Sequence, residues 1–134
     1  ADTTTADKTI TIPNRTGTMT LSIRDVETDL NATTLTSADE DTIQLLGSVA
    51  DAMITALPEA STWIGREIHF VVTAAQNMDL NPDNGDTILG LTNAAGDAIR
   101  CAAIGGTITL RAINATQIAA YSIYCPGGTW ADVN

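Results

Sequence analysis

Apolar and polar side chains alternate in several short segments of this chain. The alternation is clearest in residues 9–12, 18–24 and 67–73. The side chains on the apolar side of these segments are Ile10, Ile12, Met19, Leu21, Ile23, Ile68, Phe70 and Val72. A period of two residues is typical of strands that bury one face, so all three segments are predicted to be β-strands.

The second half of the chain predicts further short strands. They cover residues 87–89, 97–103, 106–113 and 118–124, with a turn at residues 81–85 and a hairpin at Gly105–Gly106. Threonine occupies 22 of the 134 positions, and its branched side chain suits a pleated sheet. Short strands at this spacing indicate a sandwich or a barrel-like pair of sheets.

Residues 41–57 carry a competing pattern. Ser37 to Glu40 have the form of a capping box, and apolar side chains then recur at helical spacing from Ile43 to Leu57. Local propensity therefore favours a helix, although Gly47 lies inside it at a cost of about 1 kcal/mol relative to alanine.

The charge of the chain excludes two classes of partner. Sixteen acidic residues against six basic ones give a net charge of −10, and Lys8 is the single lysine. Proteins that bind nucleic acid or anionic membranes rely on clustered Lys and Arg, so neither DNA, RNA nor a membrane is an expected partner. At this length a single domain with its own core is expected.

Candidate chemistry is sparse. His69 is the only histidine and lies in the middle of a predicted strand, so we interpret it as a surface or interface residue rather than as the base of a triad. Residues 79–86 resemble a calcium loop in part, but the glycine comes one position late and Gly90 stands where the bidentate glutamate belongs. We predict no catalytic residue, no metal and no cofactor.

Two other sets of residues leave alternatives open. Cys101 and Cys125 are the only cysteines, and they either form a disulfide or remain two buried thiols. The aromatic side chains either pack in the core or at an interface, or they stack on sugar rings; they are Trp63, Trp130, Tyr121 and Tyr124.

Residues 35–130 carry a series of short motifs in a fixed order. The motifs are Leu35-Thr36-x-Ala38-Asp39, residues 54–60 (ITALPEA), Gly65-x-x-Ile68-x-Phe70-x-Val72, Gly85-Asp86-Thr87-Ile88-x-Gly90, Ala95-Gly96-Asp97-x-Ile99, residues 106–110 (GTITL) and Gly128-Thr129-Trp130. This order resembles the small head-decoration, or cement, proteins and related virion structural proteins of tailed bacteriophages. Two departures from the family are Gln117-Ile118, where tryptophan is common, and the pair of cysteines.

The resemblance implies an all-β fold, a β-sandwich or tulip-like barrel of antiparallel strands with an extended N-terminal arm. In these terms residues 1–16 form the arm and residues 17–134 the single β domain. The resemblance also implies that residues 42–46 and 53–57 are two strands joined by Gly47-Ser48, against the helix. The implied function is non-enzymatic. The chain is expected to be a homotrimer that binds the major capsid protein on the outer surface of the virion and stabilises the shell.

The arm is the predicted contact with the capsid or with the next protomer. An extended segment gains affinity by adding a strand to a neighbour. The expected interface residues are Lys8, Ile10, Ile12 and Arg15. The alternative for the arm is disorder. The alternative for the protein is a receptor- or glycan-binding module of a phage tail fibre or spike, with Trp63 or Trp130 as the platform for a sugar.

Overall fold

The computed structural model describes residues 24–47 and 52–133. Eleven strands and two single turns of 3₁₀ helix, at Ser37–Asp39 and Ala60–Thr62, make up its regular structure. The strands are β1 (Val26–Asp29), β2 (Thr33–Thr34), β3 (Ile43–Leu46), β4 (Met53–Ala56), β5 (Glu67–Val72), β6 (Met78–Asn81), β7 (Thr87–Ile88), β8 (Ala98–Cys101), β9 (Thr107–Ala112), β10 (Gln117–Tyr124) and β11 (Ala131–Val133). The all-β expectation is confirmed. The arm, residues 1–16, lies outside the described residues.

The strands form two sheets. Sheet A has six strands in the order β1-β3-β5-β9-β10-β7, and sheet B has five in the order β11-β8-β6-β4-β2. From β1 to β6 the chain alternates between the two sheets: β1, β3 and β5 belong to sheet A, and β2, β4 and β6 belong to sheet B. Each of β1 to β4 pairs in parallel with the strand two positions further along the chain.

The expectation of purely antiparallel strands is therefore wrong for the first half of the described chain. Of the nine strand pairings among the described residues, five are parallel. The physical reason is that a strand of the other sheet separates the members of each early pair, so no tight hairpin joins them, and a hairpin is the connection that requires antiparallel neighbours. Among the strands that the structure describes, antiparallel pairing appears only where β5 meets β9, β6 meets β8, β9 meets β10 and β8 meets β11.

The helix favoured by local propensity at residues 41–57 is absent from the described part of this segment. β3 and β4 occupy it as two strands, as the resemblance implied, and the two strands belong to different sheets. The capping motif is real but caps only the 3₁₀ turn: the Thr36 hydroxyl accepts the N–H of Ala38, and Asp39 accepts the N–H of Thr36. Gly47 ends β3 where the chain packs closely, since a Cβ there would stand 2.8 Å from the Thr73 hydroxyl.

The predicted hairpin at Gly105–Gly106 is also wrong. β8 belongs to sheet B and β9 to sheet A, so the turn between them carries the chain from one sheet to the other. The hairpin of this region is the next one, β9–β10, in which Ile118 stands opposite Ala112.

Buried side chains from both sheets form one hydrophobic cluster. β5 supplies Ile68, Phe70 and Val72, and the opposing sheet supplies residues such as Leu80 and Ile99. The whole set is Leu35, Leu46, Met53, Leu57, Ala60, Trp63, Ile68, Phe70, Val72, Met78, Leu80, Ile88, Ile99, Cys101, Ile108, Leu110, Ala112, Ile118, Cys125 and Trp130.

The structure joins Cys101 and Cys125 in a disulfide, with 5.9 Å between their Cα atoms. Cys101 is the last residue of β8 in sheet B, and Cys125 follows β10 of sheet A directly. The bond therefore ties the two sheets together at one end. The sequence left open whether the two cysteines form a disulfide or remain buried thiols, and the structure shows the disulfide.

Candidate interaction surface

The outward side chains of sheet A form two rows that cross five strands. The first row runs through Val26, Ile43, His69, Thr109 and Tyr121 of β1, β3, β5, β9 and β10. The second row, on the same strands, consists of Thr28, Leu45, Val71, Thr107 and Tyr124. We call these ten residues the sheet A face. The residues that alternate with them along β3, β5 and β9 are all buried.

The sheet A face exposes large apolar side chains at both ends of the first row and at the β10 end of the second row. Val26 is 59% exposed at the β1 side, and Tyr121 and Tyr124 are 47% and 58% exposed at the β10 side. Ile43 and Leu45 are half-buried between them. No carboxylate occurs among the ten residues, although the chain carries sixteen. Aromatic residues without acidic neighbours are typical of protein–protein interfaces.

A bulge in β10 places both tyrosines on this face. The pairing with β9 shifts between Tyr121 and Tyr124, and Ser122 takes a positive φ of 50° within the shift. Because of the extra residue, the two tyrosines both stand opposite threonines of the sheet A face, Thr109 and Thr107.

A charged group borders the first row. Glu67 accepts a hydrogen bond from Arg111 and lies 3.5 Å from the guanidinium of Arg24. The guanidinium of Arg111 also lies over the ring of Tyr121, 5.7 Å from its centroid. Glu67 is therefore bound by two arginines, and Asp41 beside it, which accepts the N–H of Glu67, forms an ion pair with Arg66.

His69 occupies the middle of the face. Its Nδ1 is 2.7 Å from the Thr109 hydroxyl, and its Nε2 is 3.3 Å from the carboxylate of Glu67. Burial, first, and the charge of Arg24 lower the pKa of His69, and the smaller effects of Glu67 and Asp41 oppose them. The imidazole is therefore favoured in its neutral form.

Thr109, His69 and Glu67 have the residue types of a hydroxyl–imidazole–carboxylate triad. Their placement does not suit acyl transfer. All three lie on the adjacent central strands β5 and β9, where backbone N–H groups belong to the ladders of a sheet, so none is free to stabilise an oxyanion. Thr109 is also only 7% exposed as a residue. The contact between Thr109 and His69 is explained as a cross-strand pair.

A shallow groove of about 540 Å³ runs over the middle of the face. Its lining includes four residues of the sheet A face, Ile43, His69, Val71 and Thr107, together with Arg24 and Ser122. The groove is open, so it fits a side chain or a strand of a partner better than an enclosed small molecule.

Sheet B presents a different outer surface. Asp79 accepts two hydrogen bonds from Arg100, at 2.6 and 2.7 Å, and Ile54 is exposed beside this pair. The hydrogen bond with Asp79 raises the pKa of Arg100. This ion pair crosses from β6 to β8, and it neutralises the acidic residue that sequence reasoning placed first in a calcium loop.

The remaining acidic residues of that loop do not assemble a cation site. Asp86 is buried and accepts the N–H of Ala60 at 2.7 Å. Within residues 24–47 and 52–133, the structure brings together no cluster of three or more His, Cys, Asp or Glu side chains that could hold a metal.

Both tryptophans are core residues, so the prediction that Trp63 or Trp130 serves as a sugar platform is wrong. Each is only 1% exposed. The Trp63 indole donates to the carbonyl of Pro58, and the Trp130 indole donates to the carbonyls of Thr107 and Tyr124. The exposed aromatic residues of the chain are the two tyrosines of the sheet A face.

The residues predicted to lie at the interface, Lys8, Ile10, Ile12 and Arg15, fall outside the described residues. Sequence reasoning missed the sheet A face because it treated outward strand positions as solvated. The signal was present: Val71 and Tyr121 are large apolar residues at outward positions of predicted strands.

Comparison with known proteins yields no relative. No family model, curated protein or solved structure matches the chain. In the part of the chain that the structure describes, no helix is long and apolar enough to cross a membrane.

Proposed function

We propose that this chain is a non-enzymatic structural protein of a bacteriophage virion, a decoration protein that binds the major capsid protein on the outer surface of the head and stabilises the shell. The sequence resemblance supplies this setting. The observation that supports it best is the sheet A face, an exposed surface across five strands with apolar ends and no carboxylate, in a protein of net charge −10. A homotrimer and a β-sandwich or tulip-like fold are parts of the same proposal.

The disulfide is a second support. Cys101 and Cys125 join the two sheets. Disulfides persist in extracellular proteins and on virion surfaces and are rare in the reducing cytosol. A covalent cross-link between the two sheets suits a protein that works outside the cell and is under mechanical stress.

The experiment is a density gradient of a lysate from the source, probed with an antibody against the chain. A decoration protein co-sediments with full-size particles at a copy number comparable to that of the capsid protein. A few copies per particle would place the protein in the tail, and absence from particles would refute a role in the virion.

A second candidate function is the receptor- or glycan-binding module of a tail fibre or spike. Tyr121 and Tyr124 favour it, because they are exposed and Arg111 packs against the first of them. Exposed aromatic rings are the surfaces on which sugars stack. Binding to a soluble glycan array that is abolished in the Tyr124→Ala variant would support this candidate, and a decoration protein shows no such dependence on sugar.

A further inference from the structure

We propose that residues 18–23 of this chain lie across the sheet A face in the free protein and cover it. These residues come directly before Arg24, where the described structure begins. The occupant of the face is thus a segment of the same chain rather than another protein. A regulatory step follows, and it rests on the proposed function: a capsid protein that binds the sheet A face displaces residues 18–23.

Arg24 brings the chain to the border of the face. Its guanidinium lies 3.5 Å from the carboxylate of Glu67 on β5, and it lines the groove together with Val71 and Ser122. Since β3 lies between β1 and β5, the Arg24 side chain extends from the start of β1 across β3. The residues that precede Arg24 therefore begin beside the groove.

The sequence of residues 18–23 suits an apolar surface. Met19, Leu21 and Ile23 alternate with threonine and serine. An extended segment with this alternation has one apolar side and one hydroxyl-bearing side. When the apolar side packs on the sheet A face, the hydroxyl-bearing side points into water, so both halves of the pattern are accounted for.

The length of the segment matches the width of the face. Four spacings of about 4.8 Å separate β1 from β10, which gives a width of about 19 Å. Six extended residues span about 20 Å. In a segment that runs from Arg24 toward β10, Ile23 lies near β3 and Leu21 lies over the groove. Met19 then reaches the two tyrosines at the β10 side.

Charge is compatible with this occupant. Residues 18–23 carry no charged side chain, and the ten residues of the face carry none apart from His69, which is favoured in its neutral form. Contact between the two surfaces therefore removes no charge from water, a step that is costly for ionised groups. The carboxylates at the border, Glu67 and Asp41, are already paired with arginines.

The size of the face favours a short tethered segment. Two rows of side chains on five strands cover on the order of 350–450 Å². A standard interface buries about 800 Å² per partner, so a separate protein that docked on this face alone would fall well short. Residues 18–23 need no such area, because their connection to β1 gives them a high effective concentration at the face.

The test measures how accessible Tyr121 and Tyr124 are in the intact protein. They are the only tyrosines of the chain, and each is about half exposed when the face is bare. Tetranitromethane nitrates accessible tyrosine rings, and mass spectrometry gives the rate. The wild type is compared with Leu21→Asp, which places a carboxylate on the apolar side of the segment. The matched control is Thr20→Asp, which places the same charge on the hydroxyl-bearing side.

Nitration of the wild type and of Thr20→Asp is expected to be at least about tenfold slower than nitration of Leu21→Asp. A reaction that needs the uncovered face slows in proportion to the population of that form. Far-UV circular dichroism shows whether each variant is folded, and Leu21→Ser serves as a milder substitution if Leu21→Asp does not fold.

Wild-type tyrosines that react as fast as those of Leu21→Asp overturn the inference. An equal increase in Thr20→Asp does so too, because the two sides of the segment would then not differ. Protection that disappears on dilution also overturns it, since another copy of the chain would supply the cover.

Binding to phage heads that lack this protein is scored separately. A wild type with protected tyrosines that binds no heads supports the cover and refutes the proposed function. A wild type that binds heads although its free tyrosines react at the full rate refutes the cover and leaves the proposed function intact.

Discussion

Reduction of the Cys101–Cys125 disulfide is expected to destabilise the protein strongly. The two cysteines are 24 residues apart, and the closed loop contains β9 and β10. The loss of chain entropy that a cross-link of this length imposes on the unfolded state corresponds to about 3.5 kcal/mol at 25 °C. This is a large fraction of the roughly 5–15 kcal/mol by which a typical domain is stable.

The assay is urea unfolding followed by tryptophan fluorescence, with and without a reductant. Trp63 and Trp130 are both buried, so their emission reports the loss of the core. The reductant should lower the free energy of unfolding of the wild type by about 3–4 kcal/mol. In Cys101→Ala/Cys125→Ala the loss should be greater by about 1 kcal/mol for each buried sulfur removed, and the reductant should have no effect.

A decrease below about 1 kcal/mol on reduction would refute this reasoning, because the cross-link would then not limit the unfolded chain. A reductant effect of the same size in the double variant would show that the agent acts on something other than the disulfide.

Three further predictions concern single positions. Gly106→Ala should destabilise the protein by about 1–3 kcal/mol in the same urea assay, because a Cβ there would stand 2.5 Å from the Cys101 sulfur; an unchanged midpoint would show that the turn adapts freely. Asp86→Ala should cost about 1–3 kcal/mol, since it leaves the buried N–H of Ala60 unpaired. Asp86→Asn keeps an acceptor and removes a carboxylate whose pKa is raised mainly by burial, so at pH 7 it should cost much less than Asp86→Ala; equal losses would contradict the role of the hydrogen bond. The pKa of His69 lies below its ordinary value of 6.5 in the folded chain, so the unfolded chain binds the proton more tightly. Acidification below pH 6.5 should therefore lower the stability of the wild type more than that of His69→Gln, and the ¹H NMR titration of this only histidine should give a midpoint below 6.5.

The sequence predicted the central strands well and the pairing between strands poorly. β5 and β9 were predicted because each alternates without interruption over six residues, which only a half-buried strand explains. β1 and β2 were missed because they are short and polar, with the sequences VETD and TT. They are strands because they lie beside β3 and β4, and a local pattern does not contain that information.

The false helix has a physical explanation of the same kind. Apolar residues of β3 and β4 happen to fall at helical spacing, but Leu46 and Met53 are buried in two different sheets. Gly47 marks the end of β3, where close approach to Thr73 leaves no room for a side chain. Tertiary packing decides against local propensity at this point.

The candidate interaction surface was predictable only in part. The outward position of His69 beside Glu67 followed from alternation, and both residues lie on the outer side of β5. The rows that connect β1 to β10 depend on the parallel registers of β1, β3 and β5. Between these strands the chain passes through sheet B, so the local sequence does not reveal their registers. The bulge at Ser122, which places both tyrosines on one face, has no signature in the sequence.

The most direct test of the proposed function is reconstitution on phage heads that lack this protein. Purified wild-type protein is added to such heads, and bound copies and the temperature of DNA release are measured together. The account predicts saturable binding at a copy number comparable to that of the capsid protein and a higher release temperature. Heads that bind no protein, or that bind it without any gain in release temperature, would contradict a role in stabilising the shell.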